Sequence, residues 1–215
     1  MGREGAVGDD PEPGDLRIAA LRRRVHGTVP RAEEEPLSPL DAGQLPALTL
    51  ILGGARSGKS RFAERLVGAA ASAGTYCATA EAGDSEMAAR IAEHRARRGG
   101  FWRTVEVQLT LAQTIAAEAA PGRPLLVDCL TLWLSNLMLA DRPLEREFCR
   151  LAAALREAAG PVVLVANEVG LGLVPETPLG REFRDAAGRL NQEMAALADC
   201  VVFVAAGLPL VLKGG

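Results

Sequence analysis

Aromatic residues are scarce in this chain of 215 residues, which has two Trp, one Tyr and five Phe. Its core must then be built from Ala, Leu and Val, a palette that suits helices packed on a buried sheet. Cysteine is equally sparing. Cys77, Cys129, Cys149 and Cys200 stand far apart with no CxxC pair, each inside an apolar run. That pattern excludes a disulfide framework and a cysteine metal site, and leaves small buried hydrophobes in a reducing compartment. No apolar run approaches the ~18 residues of a membrane span, and the first residues lack the apolar stretch of a signal peptide. The expected location is cytoplasmic. There is no basic excess either. Residues 1–46 carry six Arg against nine Asp or Glu, leaving 18 basic and 18 acidic residues in the remainder. A neutral body argues against nucleic acid as a partner.

Texture divides the chain. Residues 1–46 hold six prolines, six glycines and no aromatic. Such a segment buries too little apolar surface to offset its ordering entropy, so a disordered tail is expected. "LRIAALRRRV" (16–25) could still form an amphipathic helix, and a docking or regulatory arm is the other reading. From 47 to 215 a single domain is expected, long enough for one core. "LTLIL" (48–52), "TYCAT" (75–79), "PLLVD" (124–128), "PVVLVA" (161–166) and "CVVFVA" (200–205) read as buried parallel strands. Helical patterns lie between them, at about 58–72, 85–98, 109–119, 130–140, 144–159 and 178–198. The alternation predicts an α/β fold with a mostly parallel sheet flanked by helices. "PLVLK" (209–213) follows its predecessor too closely for a crossover, so an antiparallel C-terminal edge strand is expected.

"GGARSGKS" (53–60) fits G-x-x-x-x-G-K-[ST] and stands between an apolar strand and a helix, which makes the fold P-loop NTPase-like. The glycines let backbone N–H groups converge on a phosphate, and the following helix N-terminus adds partial positive charge. Lys59 can reach the β and γ oxygens, and the Ser60 hydroxyl is placed to ligate Mg²⁺. A carboxylate at the end of a neighbouring buried strand should complete that shell. "PLLVD" supplies Asp128, although an Asp there could instead cap the helix starting near Leu130.

His94 is the only histidine of the expected domain, because His26 lies in the tail. On the predicted helix 85–98, Glu86, Arg90 and His94 share one face, while Met87 and Ile91 lie on another. Arg97 and Arg98 follow His94 by three and four positions, close enough to neighbour it. One reading is a solvated charged face. The other is a nitrogen nucleophile, since a reference pKa of about 6.5 leaves imidazole largely neutral at pH 7. Nearby guanidinium groups would favour that neutral form.

Taken together, "GGARSGKS", "EMAARIAEHR", "FWRTVE", "VDCLTLWLSNL", "NEVGLGLVPETPLGREFRDAAGRLNQ" and "GLPLVLKG" resemble the bifunctional adenosylcobinamide kinase / adenosylcobinamide-phosphate guanylyltransferase family of cobalamin synthesis, over residues 47–215. The resemblance implies two reactions. The hydroxyl of adenosylcobinamide is phosphorylated by ATP or GTP, and GMP from GTP then joins that phosphate through a guanylylated histidine. By motif the histidine falls on His94, with Lys59 as the other catalytic residue. Nucleotide contacts would fall on Gly53, Gly54, Ala55, Arg56, Ser57, Gly58, Lys59 and Ser60. They continue on Thr79, Ala80 and Glu81, on Arg95, Ala96, Arg97 and Arg98, and on Glu106 and Asp128. Ser60 and Asp128 would hold Mg²⁺. Glu106 would read guanine or a ribose hydroxyl. Asn167 and Glu168 sit where ligands meet parallel sheets, and substrate binding and packing are both open to them. A homotrimer is implied, and residues 1–46 have no counterpart in the family. Outside this reading stand a P-loop kinase that leaves His94 unused, and a nucleotide-sensing regulatory module.

Overall fold

The computed structural model describes residues 45–80 and 99–214. The predicted helix 85–98 lies outside the described residues. Seven strands form one sheet: β1 (Leu48–Gly53), β2 (Gly74–Ala78), β3 (Trp102–Glu106), β4 (Leu125–Asp128), β5 (Val162–Asn167), β6 (Cys200–Ala205) and β7 (Leu208–Lys213). Among the described residues five helices accompany them: α1 (Lys59–Ala70), α2 (Leu111–Glu118), α3 (Leu130–Leu139), α4 (Leu144–Arg156) and α5 (Pro178–Leu197).

The strand order is β3-β2-β4-β5-β1-β6-β7. Every pairing is parallel except β6 with β7, so the antiparallel edge strand expected from the short connection is present. One strand was not foreseen. "WRTVE" forms β3 on the opposite edge, where only one neighbour pairs with it and most of its residues are exposed or half-exposed. A strand with so little buried apolar surface lacks the continuous hydrophobic run that marked the central ones.

Alternation along the strands assigns the two faces. Leu48, Leu50 and Leu52 of β1, Leu125 and Val127 of β4, and Val162, Leu164 and Ala166 of β5 pack into one core with α2, α3, α4 and α5. The intervening residues point the other way, and Ile51, Leu126, Val163, Val165 and Val202 are buried there. That is the face of α1, which packs against β1, β4, β5 and β6. Phe62, Ala63, Leu66 and Val67 form its buried stripe. At about 1.5–3 kcal/mol for each large apolar side chain buried, the stripe fixes α1 over the centre of the sheet.

Helix ends follow local chemistry. Thr177 caps α5 by accepting from the Gly180 N–H at 3.1 Å, with Pro178 in the first turn. Three cysteines are buried as expected. Cys149, on α4, is exposed, because it lies off the stripe that buries Phe148, Leu151 and Leu155. Among the described residues no helix is long and apolar enough to cross a membrane.

Candidate functional site

The loop from Gly53 to Ser60 leaves the end of β1 and enters α1. Two left-handed residues, Arg56 (φ 56°) and Gly58 (φ 96°), curl it back, and the Ser57 N–H donates to the Gly54 carbonyl at 3.3 Å. Gly58 takes a backbone conformation that side-chain-bearing residues adopt rarely. Gly53 is required by space. A Cβ there would lie 2.5 Å from the Val204 carbonyl oxygen and 2.6 Å from Ser57 Oγ. The loop is also latched from outside, since the Gly207 N–H donates to the Ser57 carbonyl at 2.8 Å.

Lys59 is the first residue of α1 and is only 8% exposed. Its Nζ donates to the Gly54 carbonyl at 3.1 Å, which holds the ammonium inside the loop's curl. A cation over a ring of backbone amides at a helix N-terminus is a site for a phosphate chain. Ser60 is half-buried in the same turn.

Asp128 ends β4, and its side chain points to the α1 face. Tyr76 Oη donates to its Oδ2 at 2.6 Å, and Tyr76 is itself packed edge-on against Trp102 at 5.6 Å. The capping alternative fails, because α3 starts after Cys129 with no side-chain cap bond. Asp128 is thus held through Oδ2 by the chain's single tyrosine. Ser60 and Asp128 offer hard oxygen donors, which fit Mg²⁺. Among the described residues no group of three or more His, Cys, Asp or Glu could hold a cation unaided. Two ligands suit an ion that takes its remaining partners from phosphates and water.

Thr79 and Ala80 follow β2. Thr79 is fully buried in a structural knot, with Oγ1 donating to the Cys129 carbonyl at 2.7 Å and accepting its N–H at 2.8 Å. Asn136 Nδ2 donates to the Thr79 carbonyl at 2.9 Å. Thr79 therefore braces the turn after Asp128, and Ala80 lies half-buried beside it. Glu106 ends β3 opposite Ala78, whose other partner is Asp128. Glu106 thus lies on the same face and at the same end of the sheet. Glu81, His94, Arg95, Ala96, Arg97 and Arg98 lie outside the described residues.

One placement differs from expectation. Asp128 is not on the strand next to β1, because β5 runs between them. Strand order is set by three-dimensional pairing, and local sequence does not encode it. The tip of that intervening strand is Asn167, paired with Gly53. Its neighbour Glu168 turns away into a local contact, accepting from the Gly170 N–H at 2.5 Å. The sequence reading also missed Tyr76, whose signal was only that it is the single tyrosine in the chain.

A buried strand, a glycine loop, a helix-starting lysine and a carboxylate across the sheet define a P-loop NTPase-like protein. A prototypical ATPase from the type III secretion system of pathogenic bacteria shares the fold, with a TM-score of 0.51 at 14% identity over 80% of this chain and 59% of that one. The model of the cobinamide kinase / cobinamide phosphate guanyltransferase family matches residues 49–212, and the chain belongs to that family. It is similar to the bifunctional adenosylcobalamin biosynthesis protein CobP of Pseudomonas aeruginosa, with 56% identity over 77% of this chain and 96% of the relative. It is also 42% identical to the bifunctional protein CobU of Salmonella typhimurium, over 77% and 99% of the two chains. The protein is therefore an enzyme of the class that combines kinase and guanylyltransferase activity.

Proposed function

We propose that residues 47–215 phosphorylate adenosylcobinamide and then attach GMP to the new phosphate through His94. In the first step the corrinoid hydroxyl oxygen attacks the γ-phosphorus of ATP or GTP and loses its proton to solvent. The bond to the β-phosphate oxygen breaks, and the nucleoside diphosphate leaves. In the second, a neutral imidazole nitrogen of His94 attacks the α-phosphorus of GTP, pyrophosphate leaves, and the ring gives up its N–H proton. An oxygen of the corrinoid phosphate then attacks the same phosphorus, the P–N bond breaks, the ring takes a proton back from solvent, and adenosylcobinamide-GDP is released. Splitting one transfer into two in this way lowers each barrier.

The observation that carries this reading is the phosphate loop, with Lys59 folded into its curl and Asp128 facing it across β5. Lys59 neutralises β and γ oxygens as charge moves on to the leaving group. Ser60 and Asp128 would hold Mg²⁺, which supplies further charge neutralisation when bound. Glu106 stands four strands from Gly53, about 19 Å at a spacing of ~4.8 Å. That span suits a nucleotide lying along the sheet edge, with the base or ribose towards Glu106. Thr79, Ala80, Glu81 and Arg95 to Arg98 complete the proposed nucleotide contacts. Unpaired cysteines accord with a cytoplasmic setting, and a homotrimer is the proposed assembly.

GTP labelled at the α-phosphate tests the histidine route. Wild-type protein should take up an acid-labile, base-stable label, and His94→Ala should take up none while still transferring the γ-phosphate. Label retained by His94→Ala would overturn the assignment of the nucleophile. If wild-type protein takes no label yet phosphorylates cobinamide, the chain is a kinase alone.

A further inference from the structure

Asn167 occupies the floor of the site between its two halves. It pairs with Gly53 on one side and lies two residues beyond Val165, the partner of Asp128 on the other. Alternation puts its side chain on the α1 face, with Asp128 and the phosphate loop. Its backbone is pinned on three sides. The Asn167 N–H donates to Thr131 Oγ1 at 2.6 Å, its carbonyl accepts from Asn191 Nδ2 at 3.2 Å, and the next N–H, of Glu168, donates to the Gly53 carbonyl at 3.0 Å. Three elements therefore hold the residue.

Its side-chain oxygen, by contrast, is idle. Among the described residues Asn167 Oδ1 is fully buried and accepts no hydrogen bond, and Ser57 Oγ shares that condition. Ser57 Oγ sits 2.6 Å from where a Cβ on Gly53 would be, and Gly53 is the register partner of Asn167. Ser57 Oγ thus stands over the strand position next to Asn167, and the two unpartnered oxygens do not bond to each other. Buried polar groups are ordinarily satisfied, and a pair of exceptions beneath a phosphate loop points to a missing ligand.

We propose that Asn167 Oδ1 accepts a hydrogen bond from an O–H group at the γ-phosphate end of the nucleotide. That group is either a water on the bound cation or the corrinoid's own hydroxyl. A carboxamide is not basic enough to take the proton, so Asn167 orients the donor for γ-phosphoryl transfer. The guanylyl step occurs at the α-phosphate, further along the chain of phosphates, and depends on Asn167 less. This inference rests on the two-reaction reading above.

The test compares Asn167→Ala, Asn167→Asp and Asn167→Leu in the full chain. Asn167→Ala should lower cobinamide phosphorylation at least tenfold more than it lowers labelling from α-labelled GTP. Asn167→Asp keeps an acceptor oxygen and should retain kinase turnover within about fivefold of wild type, whereas the similarly sized Asn167→Leu should behave as Ala does. If the donor is a cation-borne water, Mn²⁺ binding to the GTP complex, read by electron paramagnetic resonance, should weaken in Ala and Leu with cobinamide KM unchanged. If it is the corrinoid hydroxyl, cobinamide KM should rise and Mn²⁺ binding should hold. A parallel fall of both reactions, or no fall in variants that melt like wild type, would overturn the inference. So would equal loss in Asp and Leu with both binding readouts unmoved. A wild-type protein that takes no α-label would sink the histidine route instead, and leave the kinase comparison readable.

Discussion

Replacing Tyr76 by Phe removes one oxygen from the floor of the site and leaves the ring in place. Tyr76 is about 1% exposed, and its ring stacks edge-on against Trp102, so Phe should occupy the same space. What is lost is the 2.6 Å bond from Oη to the Asp128 carboxylate. A hydrogen bond to a charged group contributes about 1.5–3 kcal/mol net. Asp128 is only half-buried and water can partly replace the phenol, which puts the loss near 1.5 kcal/mol. For a domain of this size that lowers the melting temperature by about 3–6 °C. The functional effect has a different signature. Freed from Tyr76, the carboxylate rotates more widely and is less often poised to ligate, so half-saturation by Mg²⁺ in the kinase reaction should rise roughly tenfold. Scanning calorimetry and a Mg²⁺ titration of turnover measure the two effects. A cycle with Asp128→Asn apportions them, and the stability losses should be non-additive by about 1 kcal/mol. Strict additivity would show that the phenol and the carboxylate do not interact. A variant that melts early with an unchanged Mg²⁺ response would refute the orienting role.

Two further outcomes follow from the same geometry. Lys59→Ala should depress both γ-transfer and histidine guanylylation by at least a hundredfold, because both need the triphosphate seated in one loop. Normal guanylylation by that variant would mean two separate nucleotide sites. The thiols supply a pH test. Burial, with Glu118 adding repulsion, pushes Cys77 from 9.0 up to about 12, and burial with Asp128 nearby pushes Cys129 up to about 11. The fold favours the protonated thiols while the unfolded chain ionises above 9.0, so stability should fall as pH rises from there towards 11 or 12. Urea midpoints on either side of pH 9.0 measure the slope, which should flatten in a Cys77→Ala, Cys129→Ala protein. In native protein at pH 8, exposed Cys149 should react first with a thiol reagent.

The central strands were legible because their burial is continuous. "LTLIL", "PVVLVA" and "CVVFVA" lie within a residue of β1, β5 and β6. The edge strand β3 was not, since partial exposure mixes Arg103 and Thr104 into its pattern. The phosphate loop was readable for a local reason: eight consecutive residues carry all of its backbone geometry and its lysine. The rest of the site is assembled across the sheet. Asp128 could be found by its place at a strand end, but its partner Tyr76 is 52 residues away in sequence. Asn167 acquires its meaning only when β5 is seen between β4 and β1. Such adjacency arises from register between distant strands, and no spacing rule within one segment encodes it.

The bond between the Gly207 N–H and the Ser57 carbonyl ties the phosphate loop to the turn joining β6 and β7. A shift of Ser57 as phosphates arrive should be felt at that hairpin through this bond. Beyond it, β7 carries Leu208, Leu210 and Leu212 with more than half of each side chain in solvent. The amide signal of Gly207, at the foot of this oily outer rim, should therefore move when the pocket fills.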